Sequence, residues 1–227
     1  MRIEIETNFL RAALQAVSKE ETRYYLNGVF LDARGFIAAT NGHIAFAARC
    51  ADAHKLAEVR PSSDSSNDAL PGIIVPLAAA QAASKGKDIL TVVGRDGNGL
   101  WWLVNGSLRQ HFEPIDASFP DWQRIIPEVP DVETAAHYDP QYIKAMGEMA
   151  RALRDGKKYG STSYHIHQVK EAPGLVTFTT FDPATGTASA RLDCCAVIMP
   201  MRAKGTDGFS RSVFLRGAGY TITKDEK

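Results

Sequence analysis

Net charge is the first thing this sequence lacks: 26 Lys and Arg stand against 26 Asp and Glu in 227 residues. No global field draws such a chain onto nucleic acid or an anionic surface. Any phosphate contact has to come from a local cluster of cations, because binding depends on which phosphates are neutralised. Cysteine is scarce as well. Cys50, Cys194 and Cys195 are an odd number without metal-ligand spacing, and two of them are adjacent, which is poor disulfide geometry. They read as idle or buried thiols of a reducing, cytoplasmic compartment. No apolar run nears the roughly 20 residues of a membrane span. The opening Met-Arg-Ile-Glu-Ile-Glu carries charge where a signal peptide needs an apolar core, so no membrane partner is expected.

Familiar catalytic signatures are missing too. There is no Gly-rich phosphate loop, no nucleophile elbow and no paired metal motif. His165 and His167 fall on one face of an expected strand and read as solvent-facing residues rather than metal ligands. His43, in an Asn-Gly-His turn, has no Ser, Cys or Asp partner fixed near it by the sequence. A turn or binding role is therefore favoured over a hydrolase built around it. The chain is expected to be no enzyme and to need no cofactor or metal.

What is present is patterned apolar sequence, 44% hydrophobic residues in all. Ile3 and Ile5 alternate with Arg2, Glu4 and Glu6, the pattern of a half-buried strand. Thr7 or Asn8 is then expected to cap a helix carrying Phe9, Leu10, Ala13, Leu14 and Val17. Residues 22–33 and 36–48 read as strands, the second broken by the turn Thr40-Asn41-Gly42-His43. Residues 51–71 lose periodicity, and the polar run 60–68 reads as a solvated loop. The pattern restarts at Gly72 with a short strand, a helix opened by Pro76, and three strands over 89–93, 100–104 and 108–112. It restarts again near residue 135. Asp139 and Pro140 are an N-cap and first-turn pair, and Tyr142, Ile143, Met146, Met149, Ala150 and Leu153 form the stripe of a helix. Strands follow at 163–169, 175–181 and 188–199. The polar residues after 202 form a tail.

One unit, strand–helix–strands, thus occurs three times in pattern, though not in sequence. Sheets of such units lie side by side with their helices on one face, an α+β architecture. Residues 119–127, Phe-Pro-Asp-Trp-Gln-Arg-Ile-Ile-Pro, separate the second unit from the third. Each proline pushes the residue before it towards an extended shape, so this segment reads as a crossing linker packed down by Phe119, Trp122 and Ile125.

Four stretches carry a resemblance. Thr-Arg-Tyr-Tyr-Leu-Asn-Gly-Val at 22–29, Ala-Thr-Asn-Gly-His at 39–43, the linker at 119–127 and Val-Ile-Met-Pro-Met-Arg at 197–202 resemble the bacterial sliding clamp, the beta subunit family of the replicative DNA polymerase III. The match runs over residues 1–202. It implies the DNA-clamp fold, with antiparallel sheets outside and helices on one face. Residues 1–127 resemble a complete clamp domain and 128–202 half of one, while 203–227 have no family counterpart. The resemblance also implies a peptide-binding pocket. Its wall would be Leu26, Thr40, Gly42 and His43, then Pro120, Arg124 and Ile125, then Val197, Met199, Pro200, Met201 and Arg202. Apolar Met and aliphatic side chains with Arg and His at the rim suit an extended peptide.

The sequence departs from the family at Ile44 and Ala45, where Arg-Leu is usual, at Asn41 for Asp and at Trp122 for Tyr. The implied partners are DNA polymerases and other clamp-motif proteins, together with double-stranded DNA. Read from the residues alone, Arg11, Lys19, Lys85, Lys87, Lys144, Arg151, Arg154, Lys157 and Lys158 fall on the three helices or their exits, either as a row that tracks DNA phosphates or as an ordinary solvated helix face. The implied role is a replication processivity factor; the other reading is an adaptor or decoy that keeps the pocket without encircling DNA. Three units per chain are an odd number, so the family's usual closed dimeric ring is not expected from simple cyclic repetition.

Overall fold

The computed structural model describes residues 1–62, 70–132, 134–154 and 161–201. Its elements run β1 (Arg2–Glu6), α1 (Thr7–Ala13), β2 (Gly28–Asp32), β3 (Phe36–Thr40), β4 (Ile44–Arg49), β5 (Gly72–Pro76), α2 (Leu77–Ser84), β6 (Leu90–Arg95), β7 (Trp101–Asn105) and β8 (Leu108–Phe112). After the linker come α3 (Pro140–Ala152), β9 (Ser161–His167), β10 (Gly174–Asp182), β11 (Thr187–Ala190) and β12 (Cys194–Ile198). The α+β class expected above is what the chain adopts.

The first two units interlock by exchanging their leading strands. β1 pairs antiparallel with β6, Ile3 opposite Val93 and Ile5 opposite Thr91. In return β5 pairs with β2, Ile74 opposite Phe30. One sheet therefore runs β1-β6-β7-β8. The other has eight strands and crosses into the third unit, in the order β5-β2-β3-β4-β12-β10, with β11 and β9 also on β10. The crossing joint is β4 against β12, with Ala47 opposite Cys195 and Ala45 opposite Val197. β10 is long enough to hold two partners on one side: its start pairs with β12 and its end with β11. The bend between those two strands is held by Arg191 N donating to Phe178 O and Arg49 N donating to Asp193 O, each at 2.8 Å.

Alternation sorts the sheet faces. Ile37, Ala39, Ile44, Phe46, Cys194, Ala196 and Ile198 point into one continuous core with residues of all three helices. α1 lies between α2 and α3 and packs on both, so the helices share one side of the sheets. Buried polar groups near α1 are satisfied. Asn105 Nδ2 donates to Thr7 Oγ1 and Thr91 Oγ1, both at 2.9 Å. The opposite face of the large sheet carries a second cluster, in which Leu26, Phe30, Ala38, Ala47 and Ile74 are covered by Phe119 and Trp122 of the linker. Phe119 stacks on Phe30 with ring centroids 4.7 Å apart.

Several local expectations are corrected. Thr7 does not cap α1: it is the helix's first residue, Glu6 occupies the cap without a side-chain bond, and the Thr7 hydroxyl is spent in the buried network just described. Residues 22–26 are not strand, because Glu21–Leu26 closes into a short 3-10 helix. The linker also contains a 3-10 turn, Trp122–Ile125, between its extended ends. The expected 188–199 strand is two strands separated by the bend at 191–193. At α3 the expected cap is present, with Asp139 Oδ1 accepting from Gln141 N at 2.8 Å and Pro140 opening the helix. Much of the polar run 60–68, and the tail after 202, lie outside the described residues. Among the described residues no helix is long and apolar enough to cross a membrane.

Candidate functional site

The β4–β12 joint builds the candidate pocket. It brings a turn from the first unit, residues 40–43, beside residues 197–201 of the third. Thr40 ends β3 with its side chain on the face away from the helices. Its hydroxyl donates to Ile44 O at 2.8 Å and accepts from Gly42 N at 3.1 Å. Asn41 Oδ1 accepts from the amides of both His43 and Ile44, at 2.9 and 3.0 Å, so this side chain shapes the turn. Gly42 takes φ +88°, and a Cβ there would lie 2.7 Å from Arg23 Nη1. The next contact ties the units together: Met199 N donates to His43 O at 2.8 Å.

Val197 is buried on the same outer face as Thr40 and Ala45, while Met199 and Met201 are 40% and 54% exposed. These two thioethers are apolar surface that water still reaches, beside a buried floor. The linker residues expected in the wall lie at the surface. Leu26 lies under the linker in the outer cluster. Pro120 is exposed, Ile125 is 40% exposed, and the Arg124 side chain is 84% exposed while bonding Asp121 at 3.0 Å. Pro200 is half-buried, and Arg202 lies outside the described residues.

The linker is held to the sheet by a polar latch. Trp122 Nε1 donates to Asp32 Oδ2 at 2.9 Å. Asp32 is fully buried, and Arg34 grips its carboxylate through Nε and Nη2. Arg34 also reaches Asp121 and Gln123 of the linker. The bond to Asp32 is the leading reason the Arg34 pKa rises above its ordinary value. Local pattern reading had no access to this latch, because its partners lie about 90 residues apart.

The imidazole of His43 has a committed neighbour. It stacks on Tyr142, in the first turn of α3, with centroids 5.3 Å apart and planes 16° from parallel. It therefore braces the two units against each other at the pocket's edge.

The cations proposed for DNA fall into different states. Arg11 is engaged within the fold, donating to Ser84 O at 2.9 Å, Gly86 O at 2.8 Å and Asn8 Oδ1 at 3.1 Å. It thereby satisfies carbonyls at the end of α2. Arg151 pairs with Glu148 at 2.9 Å. Lys19, Lys85, Lys87, Lys144 and Arg154 are exposed, and Lys157 and Lys158 lie outside the described residues. His165 and His167 have ring centroids 4.4 Å apart, and His167 Nε2 meets Thr177 Oγ1 at 3.0 Å. Among the described residues no group of three or more His, Cys, Asp or Glu is placed to hold a metal.

No family model matches the chain. Over 135 residues it is 30% identical to the beta sliding clamps of two strains of Caulobacter vibrioides, NA1000 and CB 15, a stretch that covers 56% of this chain. The chain is a partial-length relative of the beta sliding clamps. It spans 34% of the length of those curated relatives. Among solved clamp structures, that of Bartonella birtlesii bound to griselimycin is 16% identical, covers 89% of this chain and 66% of its own, and has a TM-score of 0.46. The Bacillus subtilis clamp is 15% identical over 90% of this chain and 65% of its own, with a TM-score of 0.47.

Proposed function

We propose that the chain is a non-enzymatic, clamp-like accessory of DNA replication that holds an extended peptide from a polymerase or another clamp-motif protein. The observation that carries this reading is the β4–β12 joint. It sets Thr40 and the His43 turn beside Val197 and Met199, and the Asp32–Trp122 latch lays the linker along the same face. A buried floor bordered by exposed Met199 and Met201 offers adaptable apolar surface to a short peptide. With Ala45 where the family has Leu, one wall is smaller, which favours a bulkier apolar side chain in the peptide.

The test is fluorescence anisotropy with a labelled clamp-motif peptide. Met199→Ala and Pro120→Ala, both at exposed positions, are expected to weaken binding on the order of tenfold. Unchanged affinity in both variants rejects the pocket.

Contact with duplex DNA along the helix face is part of the same proposal and rests on exposed Lys19, Lys85, Lys87 and Lys144. The adaptor reading is favoured by a different observation: Arg11 is engaged inside the fold, and Arg151 is paired with Glu148 at the surface. Measuring duplex binding at two salt concentrations separates the two. A steep loss of affinity with salt supports DNA contact, and peptide binding without salt-dependent DNA binding supports the adaptor. The odd number of units leads us to propose further that simple cyclic repetition does not close a ring. A stable cyclic tetramer in light scattering overturns that.

A further inference from the structure

Beside the candidate pocket, on the same face of the same two strands, lies a groove of about 480 Å³. Its floor is Ala47 and Cys195, which sit opposite each other in the β4–β12 pair. Its wall is Trp122 and Ile126 of the linker. Ala47 and Cys195 are two residues along their strands from Ala45 and Val197, so the floors of the two hollows are roughly 7 Å apart, one repeat of an extended chain. Of the linker's two isoleucines, Ile126 lines this groove, while Ile125 is 40% exposed.

The mouth of the groove has separated charge. Asp193 is engaged by Arg191 through two bonds of 2.8 Å. Arg49, on the β4 side, is exposed and has no ion pair among the described residues. Glu128 stands across from it on the linker side.

We infer that this groove is a second receptor site for the same bound peptide. It takes a further apolar side chain beyond the one over Val197, with a carboxylate following it onto Arg49. The inference rests on the peptide reading above and deepens it: the partner segment is longer than a single pocket's motif and is apolar, then acidic. An extended backbone places alternate side chains at the spacing of the two floors. The unpaired guanidinium at the β4 side selects the sign of the charge that follows.

The experiment uses the full chain and five fluorescein-labelled peptides. These are the clamp-motif peptide alone, the same peptide extended at its C-terminus by Gly-Leu-Asp or Gly-Leu-Lys, and the same extended at its N-terminus by Asp-Leu-Gly or Lys-Leu-Gly. The Asp-bearing form at one end is expected to bind on the order of tenfold more tightly than the motif alone, the scale of one buried apolar side chain with a charge contact. Arg49→Glu, an exposed substitution, is expected to reverse the preference between Asp and Lys and leave the unextended motif unaffected. Cys195→Phe, which fills the groove, is expected to abolish the gain from either extension. Extended peptides that bind no better than the motif, or a gain that survives both Arg49→Glu and Cys195→Phe, overturn the groove and leave the pocket standing. Loss of all five peptides from the unaltered chain overturns the pocket and the groove with it.

Discussion

The indole N–H of Trp122 donates to the buried carboxylate of Asp32 at 2.9 Å, joining a linker residue to the end of β2. Without that bond the linker would still have Phe119 on Phe30. But the carboxylate, whose other grip is Arg34 at 2.7 Å, would lose a donor it cannot replace from water. Trp122→Phe keeps an aromatic ring beside Phe36 and removes the donor together with part of the indole's buried surface. It is expected to lower unfolding stability by roughly 1–3 kcal/mol, the cost of under-satisfying a buried acceptor. It is also expected to weaken peptide binding, since the linker wall is then less firmly placed. Urea unfolding together with peptide anisotropy measures both effects. A variant as stable and as tight-binding as the parent would mean that the latch positions nothing.

Arg11 and Lys19 look equivalent in the sequence, two cations near one helix, but they do different work. Arg11 donates to Ser84 O, Gly86 O and Asn8 Oδ1, tying α1 to the end of α2, whereas Lys19 is exposed. Arg11→Ala should therefore cost about 1.5–3 kcal/mol of stability, the range for a lost charge-assisted bond at a partly buried site. Lys19→Ala should stay within about 0.5 kcal/mol of the parent. Chemical denaturation of the two variants side by side decides it. Equal stabilities would return Arg11 to the set of cations available to DNA.

What could be read in the sequence was whatever is encoded within a few residues. The alternation of Ile3 and Ile5 placed β1, the Asp139-Pro140 pair placed the start of α3, and Asn41-Gly42 placed the turn after β3. Residues 22–26 misled because Tyr24 and Tyr25 are strand-formers by composition. Their backbone instead closes locally, with Asn27 N donating to Tyr24 O, and only Leu26 of the six residues in that 3-10 helix is buried. The candidate site was suggested by resemblance, not by pattern. Nothing local in residues 44–49 or 194–198 says that these strands pair, since their contact joins positions about 150 residues apart. For the same reason the stacking of His43 on Tyr142 and the capping role of Arg11 had no signal in the sequence.

Gly42 tests the turn that carries His43. Its φ of +88° belongs to the left-handed region, where a Cβ is strained. The added carbon would also displace the end of Arg23, whose Nη1 bonds Asn41 O at 3.3 Å. Gly42→Ala is expected to cost on the order of 1–2 kcal/mol and to reduce peptide affinity by shifting the His43 carbonyl that receives Met199 N. Thermal unfolding and anisotropy are the measurements. Unaltered stability would show that the turn relaxes freely and is not what aligns the two strands.

The three thiols make a prediction about pH. Burial pushes Cys50 and Cys195 up to about 11 and Cys194 to about 12, from an ordinary 9.0. A raised value means the folded chain keeps its thiol protons where the unfolded chain has released them. Their contribution to stability is therefore fully present below pH 9 and is lost as pH rises through 11 to 12. At pH 8 iodoacetamide should label the folded protein slowly at all three positions, and quickly once denaturant is added, because the thiolate is the nucleophile. Stability measured by urea should be level from pH 7 to 8.5 and fall steadily above 9. A Cys50→Ala, Cys194→Ala, Cys195→Ala variant should be less stable at neutral pH but lose less on the same rise. Cys195 is the half-exposed member of the set and borders the groove beside Ala47. Rapid labelling of Cys195 in the folded chain at pH 8 would show that the groove is wetter than its apolar floor implies, and the pH argument would fail for that residue first.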